Sequence, residues 1–327
     1  MKRPTAWDVA RLAGVSQSTV SRVFLPNANV SAEKRERVLA AADELGYKPN
    51  ALARSLITQE TNLIGVVIAD INSLFYANFL SRLSERLRGI GKQVLLFSVE
   101  HHQSADEVLP TLLQYRVDAL IIAATALSAD MAADCAQTGT PVIVFNRIVD
   151  FPQVSSFSVD HANGGRAIAE LFLAAKHFRY AYIAGIESTQ SDRLRRQGFI
   201  GRLRENGITD VLIERGEYSY NIAYDAAMRL LQRDDRPDAI FCASDQMAFA
   251  AIDAARALGL HVPDDVAIAG FDNVPQAGWE SYQLTTIDQP LTQMLDTTLE
   301  ILEQRLSGES GDVNRWVAGE LIKRSSA

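Results

Sequence analysis

Residues 5–23 read TAWDVARLAGVSQSTVSRV, and this stretch decides the fold of the N-terminal part of the chain. Thr5 begins a capping-box pattern, which predicts a short helix with one apolar face immediately after it. Gly14 can adopt the positive φ of a tight turn, and Ser16 can cap a second helix over residues 17–23. Two short helices joined by a glycine turn have the spacing of a helix-turn-helix.

A third helix is predicted from the cap Ser31 to the C-terminal Gly46. Three small helices with a glycine turn fit a plain helical bundle as well as a DNA-binding head. Residues 1–60 carry nine Lys/Arg and six Asp/Glu, a net charge of +3, whereas the whole 327-residue chain carries −8. A basic head on an acidic body is typical of a polyanion-binding module, although an excess of three charges also arises by chance.

The residue strings of the head are more specific than its spacing. Residues 8–16 (DVARLAGVS), 18–23 (STVSRV), 30–31 (VS), 37–38 (RV) and 45–56 (LGYKPNALARSL) resemble the DNA-binding head of the lactose/galactose repressor (LacI/GalR) family. This resemblance extends over the whole length. It implies an α/β fold in which an N-terminal helix-turn-helix head is joined by a hinge helix to a two-lobed, periplasmic-binding-protein-like (type I) core. It also implies double-stranded DNA as a partner.

The resemblance assigns DNA contacts residue by residue. Gln17, Ser18 and Arg22 lie early on the second helix, where side chains reach base edges in the major groove. Glutamine pairs bidentately with adenine and arginine with guanine, so Gln17 and Arg22 are expected to read the sequence, and Ser18 a base or a phosphate. Phosphate contacts are expected from Thr5, Ser16, Thr19, Ser21, Asn29 and Ser31. For the three of these that precede helices, capping is the alternative role.

Residues 49–60 are predicted to form a hinge helix and linker between the head and the core. A helix this short is not stable alone, because isolated helices below roughly 12–15 residues are marginal in water. The resemblance implies that two such hinges pair in the DNA minor groove. Asn50, Ala53 and Leu56 are then at the DNA, with Leu56 inserted into the central base step and the duplex kinked.

After residue 62, short β-branched runs alternate with helical patterns. Strands are predicted at residues 63–69, 94–99, 119–123, 142–145, 180–184, 211–214, 239–243 and 266–271, and helices at 79–88, 164–174, 193–205, 223–231 and 246–258. Such alternation predicts parallel sheets with helices on both faces, arranged as two α/β lobes. The predicted domains are a head at 1–48, the hinge, and a core at 61–327, in which lobe one takes about 61–159 and 289–316 and lobe two about 160–288 and 317–327.

Ligands of open parallel sheets bind at the carboxyl ends of the strands, so a small-molecule effector is expected in the cleft between the lobes. The resemblance implies that it contacts Phe75, Tyr76, Asn146, Arg195, Tyr218, Ser244, Asp272 and Gln289. In this set Arg195 clamps the effector, Asp272 supplies a carboxylate, and the aromatic side chains offer a stacking face. The set suits the hydroxyls of a sugar, and it would also suit a purine or a phosphorylated metabolite.

Several neighbouring residues have structural interpretations. Asp160, Asn163 and Asp245 are predicted to cap the helices that follow them. Arg147 is interpreted chiefly as the partner of a carboxylate in the core. Residues 73–76 read SLFY where many relatives have Asn-Pro-Phe-Phe, which leaves the ligand class open.

Composition and motifs exclude other classes of protein. Hydrophobic residues make up 47% of the chain and charged residues 22%, and no apolar run approaches the roughly 18–20 residues that cross a bilayer. The five histidines show no metal-ligand spacing, and no nucleophile-elbow, Walker or dinucleotide-loop string occurs, so no catalysis, metal or cofactor is expected. Cys135 and Cys242 are interpreted as buried thiols of a reducing compartment, the cytoplasm.

The sequence therefore predicts a cytoplasmic, effector-responsive transcription regulator, expected to repress an operon for carbohydrate or small-metabolite use by binding a palindromic operator. A homodimer is expected, because the sequence shows no leucine-rich tail of the kind that tetramerises some relatives. Two alternatives stay open: a solute-binding protein of the same core fold, and an activator or global regulator.

Overall fold

The computed structural model describes residues 4–24, 29–48, 60–99, 104–123, 126–309, 311 and 313–327. The chain divides into two compact units, residues 1–62 and 63–327, which we call the head and the core.

The described part of the head contains three helices, α1 (Ala6–Ala13), α2 (Gln17–Val23) and α3 (Ala32–Leu45). The Thr5 side chain caps α1 in a complete capping box, and Gly14 takes the left-handed conformation at φ 62° that the tight turn requires. The buried side chains of the head are Val9, Ala10, Ala13, Val20, Val23, Val38, Ala41 and Ala42. The helix-turn-helix prediction is confirmed, and α2 has the predicted bounds.

An arginine of α3 secures the turn between α1 and α2. The Arg37 side chain donates through Nε to the Ala13 carbonyl oxygen at 3.0 Å and through Nη2 to the Gly14 carbonyl oxygen at 3.1 Å. These carbonyls lie at the end of α1, where helix geometry leaves oxygen acceptors without intrahelical partners. Packing against α3 therefore holds α2 at a defined angle to α1.

The core contains two six-stranded sheets. The first, which defines lobe one, has the strand order β11-β5-β4-β3-β1-β2 and is parallel throughout. Its strands are β1 (Leu63–Ala69), β2 (Gln93–Val99), β3 (Ala119–Ala123), β4 (Val142–Phe145), β5 (Val154–Val159) and β11 (Asn314–Val317). Buried β-branched and aromatic side chains dominate the central strands, as is typical of sheets covered on both faces.

The second sheet defines lobe two and has the order β12-β10-β9-β8-β6-β7. Its strands are β6 (Tyr180–Ala184), β7 (Val211–Arg215), β8 (Ala239–Cys242), β9 (Ala267–Asp272), β10 (Thr285–Asp288) and β12 (Glu320–Ile322). All pairs are parallel except the edge pair of β10 with β12, which is antiparallel. The predicted doubly covered parallel sheets are confirmed, with this one antiparallel edge added.

Eight α-helices cover the sheets in the described part of the core. They are α4 (Leu74–Gly89), α5 (Leu109–Gln114), α6 (Ala129–Gln137), α7 (His161–Ala174), α8 (Gln190–Glu205), α9 (Tyr220–Leu231), α10 (Asp245–Ala257) and α11 (Leu291–Leu306). Two 3₁₀ turns, Ala105–Glu107 and Pro275–Gly278, complete the described helical structure.

Several helices begin earlier than predicted. The starts of α7, α8 and α9 each lie three residues before the sequence-based boundary, directly after the capping side chains of Asp160, Thr189 and Ser219. The first turn of each helix is largely polar, so apolar periodicity becomes visible only in the second turn. Strand β5 was not predicted, because three of its six residues are serines, all of them buried.

The chain passes between the two lobes three times. It leaves lobe one after β5, returns after β10, and passes again from β11 to β12. Gly319 lies in the last of these crossings, where an added Cβ would approach Ile287 Cγ2 of β10 at 2.9 Å and Val159 Cγ2 of β5 at 3.1 Å. Strands of both lobes thus lie against the last crossing, which only a small residue can occupy.

Candidate functional site

A cavity of about 280 Å³ lies between the two lobes at the carboxyl ends of the parallel strands. Each neighbouring strand delivers a polar residue to it from the loop that follows. The residues that line it include all those predicted for effector contact: Phe75, Tyr76, Asn146, Arg195, Tyr218, Ser244, Asp272 and Gln289. The structure therefore brings together, from both lobes, side chains that the sequence separates by more than two hundred positions.

Arg195 of α8 is the most constrained cation of the cavity, with 3% of its surface exposed. Its guanidinium carbon lies 3.7 Å from the centre of the Phe271 ring, and its Nε donates to His161 Nδ1 at 3.3 Å. A further bond from Nη1 reaches the carbonyl oxygen of Ala243. These contacts leave Nη2 3.5 Å from Asp272 Oδ1, so the ion pair faces the cavity in a fixed orientation.

Asp272 ends β9 with φ at 127°, a backbone conformation that L residues rarely adopt. Gln289 Nε2 donates to Asp272 Oδ1 at 2.6 Å, which fixes the carboxylate. Burial raises the pKa of Asp272 to about 6, although Arg195 and the bond from Gln289 act to lower it. The carboxyl group therefore changes charge nearer to neutral pH than an exposed aspartate does.

Two amide oxygens at the cavity have no hydrogen-bond partner among the residues that the structure describes. Asn146 is 7% exposed and Gln289 2% exposed, and both Asn146 Oδ1 and Gln289 Oε1 are unsatisfied. The Gln289 amide orientation is set by the bond that its nitrogen donates to Asp272, so its oxygen must be an acceptor. Buried acceptors without partners are costly, and a ligand with hydroxyl donors would satisfy them.

The aromatic residues differ in how much of a face they offer. Phe75 is 4% exposed and packs edge-on against Tyr76, with ring centres 5.2 Å apart, so it belongs more to the core than to a stacking platform. Tyr218 is half-buried and its hydroxyl lies 3.1 Å from Ser191 Oγ. Tyr76 is also half-buried, and burial raises the pKa of its phenol. The two tyrosines thus bring hydroxyl groups as well as ring faces to the cavity wall.

Three of the predicted helix caps, Asp245, Asn163 and Ser31, need correction. Ser244, not Asp245, is the N-cap of α10, and its Oγ accepts from the Met247 amide at 3.4 Å. Asp245 is the first residue of that helix, and its carboxylate accepts from the Val274 amide at 2.9 Å and from the Thr286 hydroxyl. The structural interpretation of Asp245 was correct, but its role is different from capping. Its carboxylate connects the loop after Asp272 to β10 by hydrogen bonds.

Of the other predicted caps, one is confirmed and two are not. Asp160 caps α7 as predicted, whereas Asn163 only supplies the backbone amide that Asp160 accepts at 3.0 Å. Ser31 occupies the N-cap position of α3, but its side chain makes no capping bond. The Asn163 prediction was therefore wrong, and so was capping by the Ser31 hydroxyl.

Close packing of α7 on α8 determines where Arg195 stands. A Cβ added to Gly165 would lie 2.1 Å from the Arg195 carbonyl oxygen, and one added to Gly198 would lie 1.9 Å from the Ala162 carbonyl oxygen. Each helix thus presents a glycine to the backbone of the other. This contact also brings His161, which is fully buried, to the Arg195 guanidinium. Burial lowers the pKa of His161 well below its ordinary value, so this neighbour is neutral.

Sequence reasoning missed part of the cavity wall. Ser104 of lobe one and Ser188, Thr189 and Gln190 of lobe two also line the cavity. The loop before α8 follows β6, so its position after a strand was the available signal. Arg147, interpreted as a partner of a core carboxylate, also lines the cavity.

In the head, α2 presents the predicted reading residues to its exposed side. Gln17, Ser18 and Arg22 are exposed, while Val20 and Val23 are buried against the other helices. Of the predicted phosphate contacts, Thr5, Ser16, Asn29 and Ser31 are exposed and Thr19 and Ser21 half-buried. Thr5 and Ser16 cap α1 and α2 and can still meet a phosphate, because helix N-termini bind anions through the same amides.

Residues 49–59, with the predicted DNA contacts Asn50, Ala53 and Leu56, lie outside the described residues. Within the described ranges, no group of three or more His, Cys, Asp or Glu side chains could hold a metal ion. No helix in the same ranges has the length and apolar character that crossing a membrane requires.

Comparisons with known proteins agree with this architecture. Residues 5–50 match the family described as bacterial regulatory proteins, lacI family, and residues 169–327 match a periplasmic binding protein-like domain. The lactose operon repressor of Escherichia coli is 32% identical over 100% of this chain and 91% of that repressor. Catabolite control protein A of Priestia megaterium is 30% identical over 94% of each chain.

Solved structures give the same result. A lac repressor dimer bound to operator and an anti-inducer superimposes with a TM-score of 0.87, at 31% identity and 99% coverage of each chain. A CelR–cellobiose complex superimposes with a TM-score of 0.72, at 30% identity, covering 99% of this chain and 100% of that one. The fold and the two sites define a DNA-binding transcription regulator with a ligand-binding core. Within that class, the chain belongs to the lacI family of bacterial regulatory proteins.

Proposed function

We propose that this regulator represses transcription by binding a palindromic operator as a homodimer, and that a small polyhydroxylated effector in the core cavity controls that binding. The relatives support repression and dimerisation, since they include operon repressors and a lac repressor dimer on operator. The proposal assigns the chain no catalytic step and places its action in the cytoplasm, where the operator is.

The roles of the head residues form part of the proposal. Gln17 and Arg22 read base edges from the exposed side of α2, Ser18 contacts a base or a phosphate, and the capping and hydroxyl residues hold the phosphates. The phosphate contacts are Thr5, Ser16, Thr19, Ser21, Asn29 and Ser31. Asn50, Ala53 and Leu56 contact the minor groove, and Leu56 enters the central base step.

One observation carries the effector half of the proposal. The eight side chains predicted from sequence converge on one cavity, and there they form an Arg195–Asp272 ion pair beside two unsatisfied amide oxygens. Fixed donors and acceptors of this kind suit the hydroxyls of a sugar or sugar derivative, which can both donate and accept. Because the cavity lies between lobes, a ligand there contacts both and biases their arrangement.

The effector half is tested by measuring operator affinity with and without ligands of this class. A thermal-shift collection of sugars, sugar phosphates and purines identifies a binder, because a ligand of the folded state raises Tm by mass action. Arg195→Ala is expected to abolish the effector response and leave operator affinity nearly unchanged. A normal response from a folded Arg195→Ala protein would contradict the cavity assignment.

A second variant protects this test against misfolding. Arg195→Ala leaves Asp272 without its ion pair, which can destabilise the core. Gln289→Leu removes one unsatisfied acceptor and the bond to Asp272 without changing charge, and it should weaken binding of the same ligand. Repression itself is tested with a reporter whose operator overlaps a promoter; an increase in transcription on that operator would favour the activator alternative.

A further inference from the structure

Helix α2, which carries the proposed base contacts, is held in the head by few apolar side chains. It has seven residues, and its buried side chains are Val20 and Val23. A helix this short is marginal alone, so its position depends on the rest of the head. Apolar contacts are not directional, and two of them leave a helix free to tilt. Base contacts need side chains placed to within about 0.5 Å, so directional contacts are needed as well.

One set of directional contacts lies just before the start of α2. Arg37 of α3 donates through Nε to the Ala13 carbonyl oxygen at 3.0 Å and through Nη2 to the Gly14 carbonyl oxygen at 3.1 Å, and Nη2 also donates to Ala13. The guanidinium lies where a side chain on Gly14 would be, since a Cβ there would approach Arg37 Nη2 at 2.7 Å. The turn that leads into α2 is thus fixed to α3 by a planar group with several donors.

A second contact of the same kind lies at the other end of α2. Arg35 is half-buried, and its Nη1 donates to the Val23 carbonyl oxygen at 3.0 Å. Val23 is the last residue of α2, and the last carbonyls of a helix have no acceptor role within it. A positive charge also interacts favourably with the dipole at this end of a helix. Two arginines of α3 therefore hold both ends of α2.

The contacts from α3 end on backbone carbonyls and leave the proposed base-contacting side chains untouched. Gln17, Ser18 and Arg22 are exposed. Each terminal or bridging nitrogen of Arg37 has an acceptor within the head, because Nη1 lies 3.9 Å from the Glu33 carboxylate while Nε and Nη2 donate to the carbonyls. The Arg37 guanidinium is thus directed at the head itself and not at an external phosphate.

We propose that Arg35 and Arg37 are positioning residues that set the sequence specificity of DNA binding by fixing the two ends of α2. Their bonds determine the tilt of the helix from which Gln17 and Arg22 reach the bases. Without either arginine, the base-contacting side chains and the apolar contacts of α2 remain. The chain then still binds DNA but distinguishes sequences less well. This inference rests on the proposed role of α2 in base contact and adds to it the residues that align the helix.

The test uses the full chain and two DNA duplexes. The first is the duplex that the unsubstituted chain selects from palindromes randomised over about 20 base pairs, two helical turns. The second is a scrambled duplex of the same length and composition. Fluorescence anisotropy over a range of salt concentrations gives both affinities. Arg37→Gln and Arg35→Gln are each expected to lower the ratio of the two affinities by about tenfold, the effect of losing a charged hydrogen bond.

The same data distinguish positioning from a direct phosphate contact. A positioning residue leaves binding of the scrambled duplex and its salt dependence nearly unchanged. Loss of a phosphate contact would instead weaken both duplexes alike and lower the salt slope by about one. Lys34→Gln is the matched control, because it removes a positive charge from an exposed position of the same helix and should leave the affinity ratio unchanged. Arg37→Lys should restore part of the ratio, since lysine can donate to the same carbonyls but lacks the planar fork.

Hydrogen exchange in the full chain separates positioning from folding of the head. In both glutamine variants the amides at the C-terminal end of α2, residues 20–23, should lose protection while those of α1 and α3 keep theirs. This measurement needs no DNA. It therefore reports on α2 even if a variant binds neither duplex.

Three results would overturn the inference. They are an unchanged affinity ratio in both glutamine variants, an equal loss on both duplexes with a lower salt slope, and loss of protection in α1 and α3 together with α2. The last result would make the arginines general stabilisers of the head. Failure of the unsubstituted chain to select any duplex would instead refute the proposed function itself.

Discussion

The carboxamide of Gln190 forms two hydrogen bonds with the backbone of Ile148, and these bonds join lobe two to lobe one beside the cavity. The Ile148 amide donates to Gln190 Oε1 at 3.1 Å, and Gln190 Nε2 donates to the Ile148 carbonyl oxygen at 3.2 Å. Because both bonds exist only while the lobes lie together, they favour the arrangement that encloses the cavity. A contact of this kind sets how much of the effector's binding energy is needed to close the lobes.

Gln190→Ala is therefore expected to weaken effector binding. A net stabilisation of about 1 kcal/mol per hydrogen bond predicts a loss of roughly fivefold to thirtyfold in affinity. Calorimetry on the purified chain measures this. Gln197→Ala is the control, since Gln197 lies on the same helix and is exposed. Equal affinities for both variants and the unsubstituted chain would show that the contact does not hold the lobes together.

Arg22→Ala is expected to weaken operator binding and to relax its specificity. Loss of a bidentate base contact costs about 1–3 kcal/mol at the cognate site and removes discrimination at one base pair per half-site. Fluorescence anisotropy with the cognate operator and single-mismatch operators measures both effects. Arg204→Ala, an exposed arginine at the end of α8, controls for the loss of one positive charge. Unchanged discrimination between operators in Arg22→Ala would contradict the assignment.

The raised pKa of Asp272 predicts a pH dependence of opposite sign for stability and for effector binding. Because burial raises this pKa to about 6 in the folded chain, ionisation of Asp272 costs stability. Its contribution is largest below the ordinary pKa near 4 and is lost as the pH rises through 6. Burial also raises the pKa of Asp245, which adds a change of the same sign at higher pH.

Effector binding should instead improve as the pH rises, because the ionised carboxylate accepts hydroxyl hydrogen bonds. With a pKa near 6, affinity is expected to increase by about tenfold between pH 5 and pH 7. Asp272→Asn should show weaker binding with little pH dependence, measured by calorimetry across that range. A pH profile that is unchanged in this variant would assign the titration to another group.

The glycine contacts between α7 and α8 predict a selective effect on stability. Gly165→Ala places a methyl group 2.1 Å from the Arg195 carbonyl oxygen, so the helices must separate, with an expected loss of about 1–3 kcal/mol. Gly201→Ala on α8 has open space around the added methyl, and it should leave stability unchanged or raise it by up to about 1 kcal/mol. Urea unfolding of both variants gives the comparison. Equal effects from the two would show that the close packing is not needed.

Much of the local structure could be predicted from the sequence, because local signals determine it. The bounds of α2 follow from Ser16 and the apolar spacing, and β1, β3, β4 and β6 follow from short apolar runs. The eight cavity residues came from a family resemblance, and the cavity that they line lies at the carboxyl ends of the strands. The prediction of helix caps was less successful. Ser244 and Asp245 are adjacent and both polar, and only the bond from Thr286 of β10 to Asp245 shows that Ser244 is the residue that caps α10.

The contacts between lobes could not be predicted in the same way. Gln190 is one polar residue in a polar first turn, and nothing near it in the sequence indicates a partner at Ile148. The close contact of Gly165 and Gly198 between α7 and α8 could not be predicted either. A close helix crossing depends on two segments together, whereas sequence patterns describe each segment alone.

The third crossing between the lobes has a consequence for how the protein is made. Strand β11 completes the first sheet and β12 completes the second, and the two lie only a few residues apart. During synthesis β5 and β10, which are internal strands of the finished sheets, therefore each keep one side unpaired until β11 and β12 have been made, although most of each lobe has already been translated. A premature stop before residue 314 would leave one side of β5 and one side of β10 unpaired in the same molecule, which favours aggregation or proteolysis. The two lobes are therefore completed at nearly the same point of synthesis, by one short segment of the chain.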